Sequence, residues 1–154
     1  MTNVEIEMAT PQYLADLLPL VRAYHDFEEI RMSDTQRLEA IRPLLVNDAL
    51  GCIWLIRARQ GIIGYIAITF GYSIELRGRD AYVDEFFIRQ SSRGSGLGSK
   101  VIAHIRSELA KYRVVALHLE VAKTNERAQH FYSSLGFMAR NRYELMTVDI
   151  DADV

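Results

Sequence analysis

The chain has 154 residues, with 18 basic and 20 acidic side chains and a formal net charge of −2. That length suits one domain with its own core, expected over residues 1–154, and the charge balance gives no nucleic-acid footprint and no polybasic membrane patch. One cysteine, Cys52, excludes a disulfide framework within the chain; no run is long and apolar enough to span a bilayer, and the first residues do not form a leader, so a soluble cytoplasmic protein is expected.

Apolar residues at 4, 6 and 8 alternate in the manner of a half-buried strand. Thr10 and Pro11 then open a helix whose Leu14, Leu17, Leu18, Val21 and Tyr24 recur on one face, with Pro19 expected to bend or interrupt it. Ser33-Asp34-Thr35-Gln36 has the form of a capping box for a second helix, which Pro43 disturbs. Two β-branched and aromatic runs, 52–58 and 62–72, flank Arg59-Gln60-Gly61 and predict an antiparallel hairpin. Cys52 lies in the first of these runs, where a buried inert thiol is expected. A third strand follows at about 81–88. Residues 91–98 are rich in glycine and serine, and Val101, Ile102, Ile105 and Leu109 beyond them recur at helical spacing to about residue 112. A strand over 114–121 is followed by a helix from Asn125, with Ala128, Phe131, Tyr132 and Leu135 on one face and Gly136 as its stop. Two closing strands, from Phe137 and over 143–150, end the predicted series.

The stretch from residue 82 to 99 carries the most chemical information. In Arg93-Gly94-Ser95-Gly96-Leu97-Gly98 the glycines let backbone approach a ligand and take positive φ, while the first N–H groups of the following helix have no intrahelical acceptor. Phosphate suits such a site; Arg93 adds positive charge, and Ser95 and Ser99 add hydroxyl donors. A Walker loop is excluded, because Gly98-Ser99-Lys100 reverses the required order. A dinucleotide fingerprint lacks its third glycine, since Ser99 stands there, although Glu120 ends a strand roughly where a ribose-binding acid would lie. That reading stays open, as does a plain glycine-rich turn.

The segment Arg93–Gly98 also resembles the Q/R-x-x-G-x-G/A acyl-CoA signature of the GNAT superfamily, and the order of elements resembles that superfamily over essentially the whole chain. A second, independent half lies downstream, where Asn125, Ala128, Phe131-Tyr132 and Leu135-Gly136-Phe137 resemble the N-x-x-A-x-x-F-Y-x-x-x-G-F segment of the same proteins. Two positions depart from the pattern: a proline is common where Gln90 stands and an aromatic where Ser92 stands. The resemblance implies an α+β fold in α/β/α layers, with a mixed, mostly antiparallel central sheet of six to seven strands flanked by about four helices. It implies acetyl-CoA as cosubstrate and no metal. Phe86, Phe87 and Ile88 would then offer main-chain hydrogen bonds to the pantetheine arm, and Arg93, Gly94, Ser95, Gly96, Leu97, Gly98 and Ser99 would hold the diphosphate. Asn125 would orient the pantetheine or cap its own helix, and the strands around 86 and 120 would splay to admit the thioester.

Acetyl transfer to an amine needs a neutral attacking nitrogen, a polarised carbonyl and a proton for the leaving thiolate. Tyr132 matches the family tyrosine that protonates the sulfur; read from spacing alone, it belongs to the apolar stripe of its helix. Asp84 and Glu85 are the candidate bases, and as strand neighbours they are expected to point to opposite faces, so that one alone reaches the acceptor. Glu75 and Asp80 would extend an acidic rim that favours a cationic acceptor, or are turn charges balanced by Arg77 and Arg79. Tyr24 and Phe27 are candidates for the acceptor pocket, because the first two helices flank it in the family. The four histidines, His25, His104, His118 and His130, have no metal-ligand spacing and receive no role, and Trp54, Tyr65 and Phe70 read as core. The expected activity is N-acetylation of a primary amine on a small molecule or peptide by direct attack. A non-catalytic acyl-CoA-binding module and a nucleotide-binding domain are the alternatives, and a homodimer follows by family analogy.

Overall fold

The computed structural model describes residues 3–151, which fall into two compact units divided between Glu120 and Val121. The first holds β1 (Glu5–Met8), α1 (Leu14–Phe27), α2 (Asp34–Val46), β2 (Gly51–Ala58), β3 (Gly61–Ser73), β4 (Gly78–Ile88), α3 (Leu97–Lys111) and β5 (Val114–His118). Its strands form one sheet in the order β1-β2-β3-β4-β5, antiparallel through β4, with β5 parallel to β4. Among the described residues the expected six to seven strands are therefore five. The parallel neighbour requires a crossover, and α3 is that crossover.

Neither internal proline breaks its helix: α1 runs on through Pro19 and α2 through Pro43. An interior proline costs about 3 kcal/mol, and in α1 the burial of Leu17, Leu20, Val21 and His25 on a single face offsets that cost. The box at the start of α2 forms as expected, with Ser33 Oγ accepting from Gln36 N–H at 3.2 Å and Gln36 Oε1 accepting from Ser33 N–H at 2.8 Å. One face of the sheet joins α1 and α2 in a core of Leu17, Leu20, Val21, Ile41, Ile53, Leu55, Tyr65, Ala67 and Phe87. The alternate strand residues Trp54, Ile56, Ile66, Ile68 and Ala81 are also buried, as are Val101, Ile102, Ile105 and Leu109 of α3, so both faces of the sheet are covered.

Two features of the pairing along β4 bear on the site. Opposite β3, Glu85 pairs with Ala67 and Val83 with Ile68, which leaves Asp84 as an extra residue, a β-bulge. On the other side of β4, pairing with β5 ends at Tyr82 and His118, so β4 continues through residues 83–88 without a β5 partner. The strand expected to reach residue 121 stops at His118.

The second unit contains α4 (Glu126–Ser134). Asn125 caps it, its side chain accepting from Ala128 N–H at 3.1 Å, and Gly136 stands beyond it at φ 92°. The two closing strands expected from Phe137 and over 143–150 are not formed among the described residues. Leu145, Met146, Val148 and Ile150 are exposed there. Their apolar alternation needs a paired edge to become a strand, and α4 is the regular element this unit provides. Among the described residues no helix is long and apolar enough to cross a membrane.

Candidate active site

The glycine-rich turn adopts the backbone its sequence implies. A short 3-10 turn (Gln90–Ser92) leads into extended Arg93, then Gly94 takes φ 99° and Gly96 takes φ 72° as the left-handed residue that starts α3. The first intrahelical bond runs from Lys100 N–H to Gly96 carbonyl at 3.2 Å, so the N–H groups of Leu97, Gly98 and Ser99 have no carbonyl one turn earlier to satisfy them. A Cβ added at Gly94 or Gly96 would meet no atom within 4 Å. The space in front of these backbones is open, which fits the close approach of a diphosphate and its acceptance by helix N–H groups. Arg93 is braced by its own loop: its Nε–H donates to the Ile88 carbonyl at 2.7 Å, and its guanidinium lies 5.9 Å from the Phe27 ring and 5.8 Å from the Phe87 ring. Phe27 is otherwise exposed.

Immediately before this turn, Phe86, Phe87 and Ile88 lie on the part of β4 that has left β5 behind. Their main-chain groups on that side are free of a ladder partner, which is what an extended amide-bearing arm requires. Pairing between the two strands ends at residues 82 and 118, and β5 itself stops there.

The bulge changes the expected geometry of the two carboxylates. Strict alternation would send Asp84 and Glu85 to opposite faces; the extra residue interrupts that alternation, and His25 acts electrostatically on Asp84 while bonding Glu85. Glu85 is held firmly. His25 Nε2 lies 2.7 Å from Glu85 Oε2, and Tyr65 O–H donates to Glu85 Oε1 at 2.9 Å. Arg37 Nε–H donates to His25 Nδ1 at 3.1 Å, and Arg37 Nη1 donates to Asp34 Oδ1 at 2.9 Å. Asp34 also receives Arg22, with Nη2 to Oδ2 at 2.5 Å. His25 and Arg37 are buried to 5% and 6% exposure, so the string runs from an exposed Arg22–Asp34 pair into the helix-facing core. Burial, reinforced by the Glu85 carboxylate, pushes the Tyr65 phenol far above its usual range. Asp84 keeps much of its surface open, yet the surrounding chain shields its carboxyl enough to raise it above the ordinary carboxylate value, with His25 pulling the other way.

The remaining candidates are distributed unevenly. Tyr24 packs by its ring edge against Tyr65 and Phe87, each 6.5 Å between centroids, so it borders the Glu85 site. Glu75 does not reach that site. It occupies the turn between β3 and β4, and from Gly78 to Glu85 β4 advances about 23 Å at the usual strand rise. Asp80 is no rim charge either: it is 9% exposed and receives His118 at 3.2 Å where β4 and β5 are still paired. In the second unit Tyr132 meets Phe131 at a tilt and Phe137 edge-on, at 5.0 and 5.6 Å between centroids, and burial raises its phenol above the usual value, so its proton is retained at neutral pH. No group of three or more His, Cys, Asp or Glu among the described residues is placed to hold a metal ion.

His25, Arg37 and Tyr65 are the functional neighbours that sequence reading passed over. A usable signal existed for one of them, since His25 continues the i, i+4 series Leu17, Val21 into the buried face of α1, and a polar ring at a core position needs a partner. Arg37 had none, because arginine on a weakly amphipathic helix reads as solvated.

Comparison with known proteins identifies the family and the fold. The acetyltransferase (GNAT) family pattern matches residues 15–137. A thialysine N-epsilon-acetyltransferase of Bos taurus is 32% identical over 75 residues, 49% of this chain and 44% of that enzyme. Its namesake from Mus musculus is 26% identical over 145 residues, 88% of this chain and 85% of that one. The chain therefore spans less than half of the bovine relative in its match. Among solved structures, an integron cassette protein from the mobile metagenome of Cole Harbour Salt Marsh superposes with a TM-score of 0.83 at 28% identity, covering 93% of this chain and 89% of that one. A predicted acetyltransferase of Clostridium acetobutylicum, with acetyl-CoA, shares the fold with a TM-score of 0.78 at 18% identity, covering 94% and 96%.

Proposed function

Because this chain belongs to the GNAT acetyltransferase family, we propose that it transfers the acetyl group of acetyl-CoA directly to a primary amine of a small molecule or peptide. The observation that carries the reading is the open backbone at Gly94 and Gly96, with unsatisfied α3 N–H groups behind it and the unpaired run of β4 in front. Leu97, Gly98 and Ser99 N–H groups and Arg93 hold the diphosphate, and Phe86 to Ile88 bond the pantetheine amides. The amine nitrogen attacks the thioester carbonyl carbon, the carbon–sulfur bond breaks, a β4 carboxylate takes the proton the nitrogen loses, and Tyr132 gives its hydroxyl proton to the sulfur. A phenol held protonated above its usual range suits that last role.

The acceptor is a cationic amine in this reading. The carboxylates Asp84 and Glu85 support that choice, as does the similarity to enzymes named for thialysine. The test is release of free thiol from acetyl-CoA across thialysine, lysine, polyamines, aminoglycosides and lysine peptides. Turnover with one or more cationic primary amines is expected. Coenzyme A binding without thiol release from any amine would make the chain a binding module, and stabilisation by NAD in place of acetyl-CoA would overturn the assignment.

A further inference from the structure

A guanidinium can only donate hydrogen bonds. Since Arg37 Nε–H is directed at His25 Nδ1 from 3.1 Å, that ring nitrogen presents its lone pair, and the ring hydrogen sits on Nε2, aimed at Glu85 Oε2 from 2.7 Å. Tyr65 O–H supplies the donor to the other oxygen at 2.9 Å. Each carboxylate oxygen of Glu85 is thereby engaged by one donor, while Asp84, displaced by the bulge, takes part in none of these bonds. His25 also offers no outlet for a proton from Glu85, because both of its nitrogens are already committed.

We propose that His25 and Arg37 are positioning residues for the transfer reaction: Arg37 fixes the His25 tautomer, and His25 with Tyr65 fixes Glu85 as the anion that anchors the acceptor's ammonium nitrogen beside Asp84, which takes its proton. This rests on the acetyl-transfer reading of the site. In the step itself one N–H bond of the ammonium breaks and its hydrogen passes to an Asp84 oxygen. The electron pair left on nitrogen forms the bond to the acetyl carbon as the carbon–sulfur bond breaks, Tyr132 gives its hydroxyl proton to the sulfur, and the second proton lost by the nitrogen restores the Tyr132 hydroxyl. The raised Asp84 carboxyl favours this direction of transfer. The other charged or titratable groups around the pair are Tyr24 and His25 from α1 and Tyr65 from β3, with Arg37 of α2 behind His25.

The experiment is nitrogen-15 NMR of histidine-labelled full-length protein, combined with steady-state kinetics. The neutral ring of wild-type His25 should carry its hydrogen on Nε2 and none on Nδ1, and Arg37→Leu should move or add a hydrogen at Nδ1. In Arg37→Leu and in His25→Phe the KM for the amine should rise about tenfold or more, with a smaller change in kcat and with coenzyme A affinity retained as the check on folding. His25→Gln, which can accept from Arg37 and donate to Glu85, should recover most of the loss. Asp84→Asn should instead lower kcat about 100-fold or more with the amine KM little changed. A wild-type His25 carrying its hydrogen on Nδ1, or equal damage from glutamine and phenylalanine, would refute the proposal. A protein inert toward every amine would refute the transfer reaction alone, since the NMR result needs no turnover.

Discussion

Replacing Gly96 by alanine separates the cost of a backbone conformation from the loss of a ligand. Gly96 stands at φ 72° and ψ 13°, where an L-residue costs about 1–2 kcal/mol. The added methyl meets no atom within 4 Å, so no steric penalty adds to this in the protein itself. In a chain of this size each kcal/mol lowers Tm by about 2–4 °C, and a fall of about 2–8 °C is expected. The same methyl projects into the space a diphosphate would occupy. Loss of two bonds to charged oxygens, about 1.5 kcal/mol or more each, weakens coenzyme A binding by about 100-fold or more. Calorimetric titration of both proteins with coenzyme A, and with S-acetyl-pantetheine as a ligand lacking diphosphate, checks the reasoning. The small ligand should not distinguish them. An alanine variant that binds coenzyme A as tightly as wild type would remove the glycine turn from the site.

Four further outcomes are expected. Tyr132→Phe should cut kcat by about 100-fold or more while leaving the Kd for acetyl-CoA near wild type, as judged by titration and single-turnover rates. Cys52 is 5% exposed and burial pushes its thiol up to about 12; iodoacetamide at pH 8 should leave the native chain unlabelled and label it fully in denaturant. The same displacement makes the folded state the stronger proton binder, so the Cys52 contribution to stability should fall as pH rises above the unfolded thiol value of 9.0. Gly64→Ala should destabilise the sheet by about 3 kcal/mol, read by urea melts, because its Cβ would lie 2.2 Å from the Phe87 carbonyl oxygen.

Local chemistry was the part of this molecule that sequence conveyed best. The capping box at Ser33, the asparagine cap of α4 and the positive φ of Gly94, Gly96 and Gly136 each depend on a few adjacent residues, and each formed as expected. Features that depend on two strands meeting were less accessible. The bulge at Asp84 exists only as a mismatch between β4 and β3, and no residue type announces it, so alternation alone could not place the two carboxylates. Glu75 was placed near them because chain proximity stood in for distance along a hairpin, whereas β4 carries it to the far end. The apolar pattern near 143–150 met the requirements of a strand without a partner to complete one. His25 and Arg37 stand 12 positions apart and 60 and 48 from Glu85, and only the packing of α1 and α2 on one sheet face reveals that they form a single string.

The early end of the β4–β5 ladder has a consequence for how the molecule survives in a crowded solution. From residue 83 to 88 the strand has no β5 partner for its amides and carbonyls on that side, the sort of edge on which a stray extended segment can dock and seed aggregation. A cosubstrate lying along that row would act as a guard as well as a reactant, so a supply of acetyl-CoA during expression and storage should keep more of the protein monodisperse.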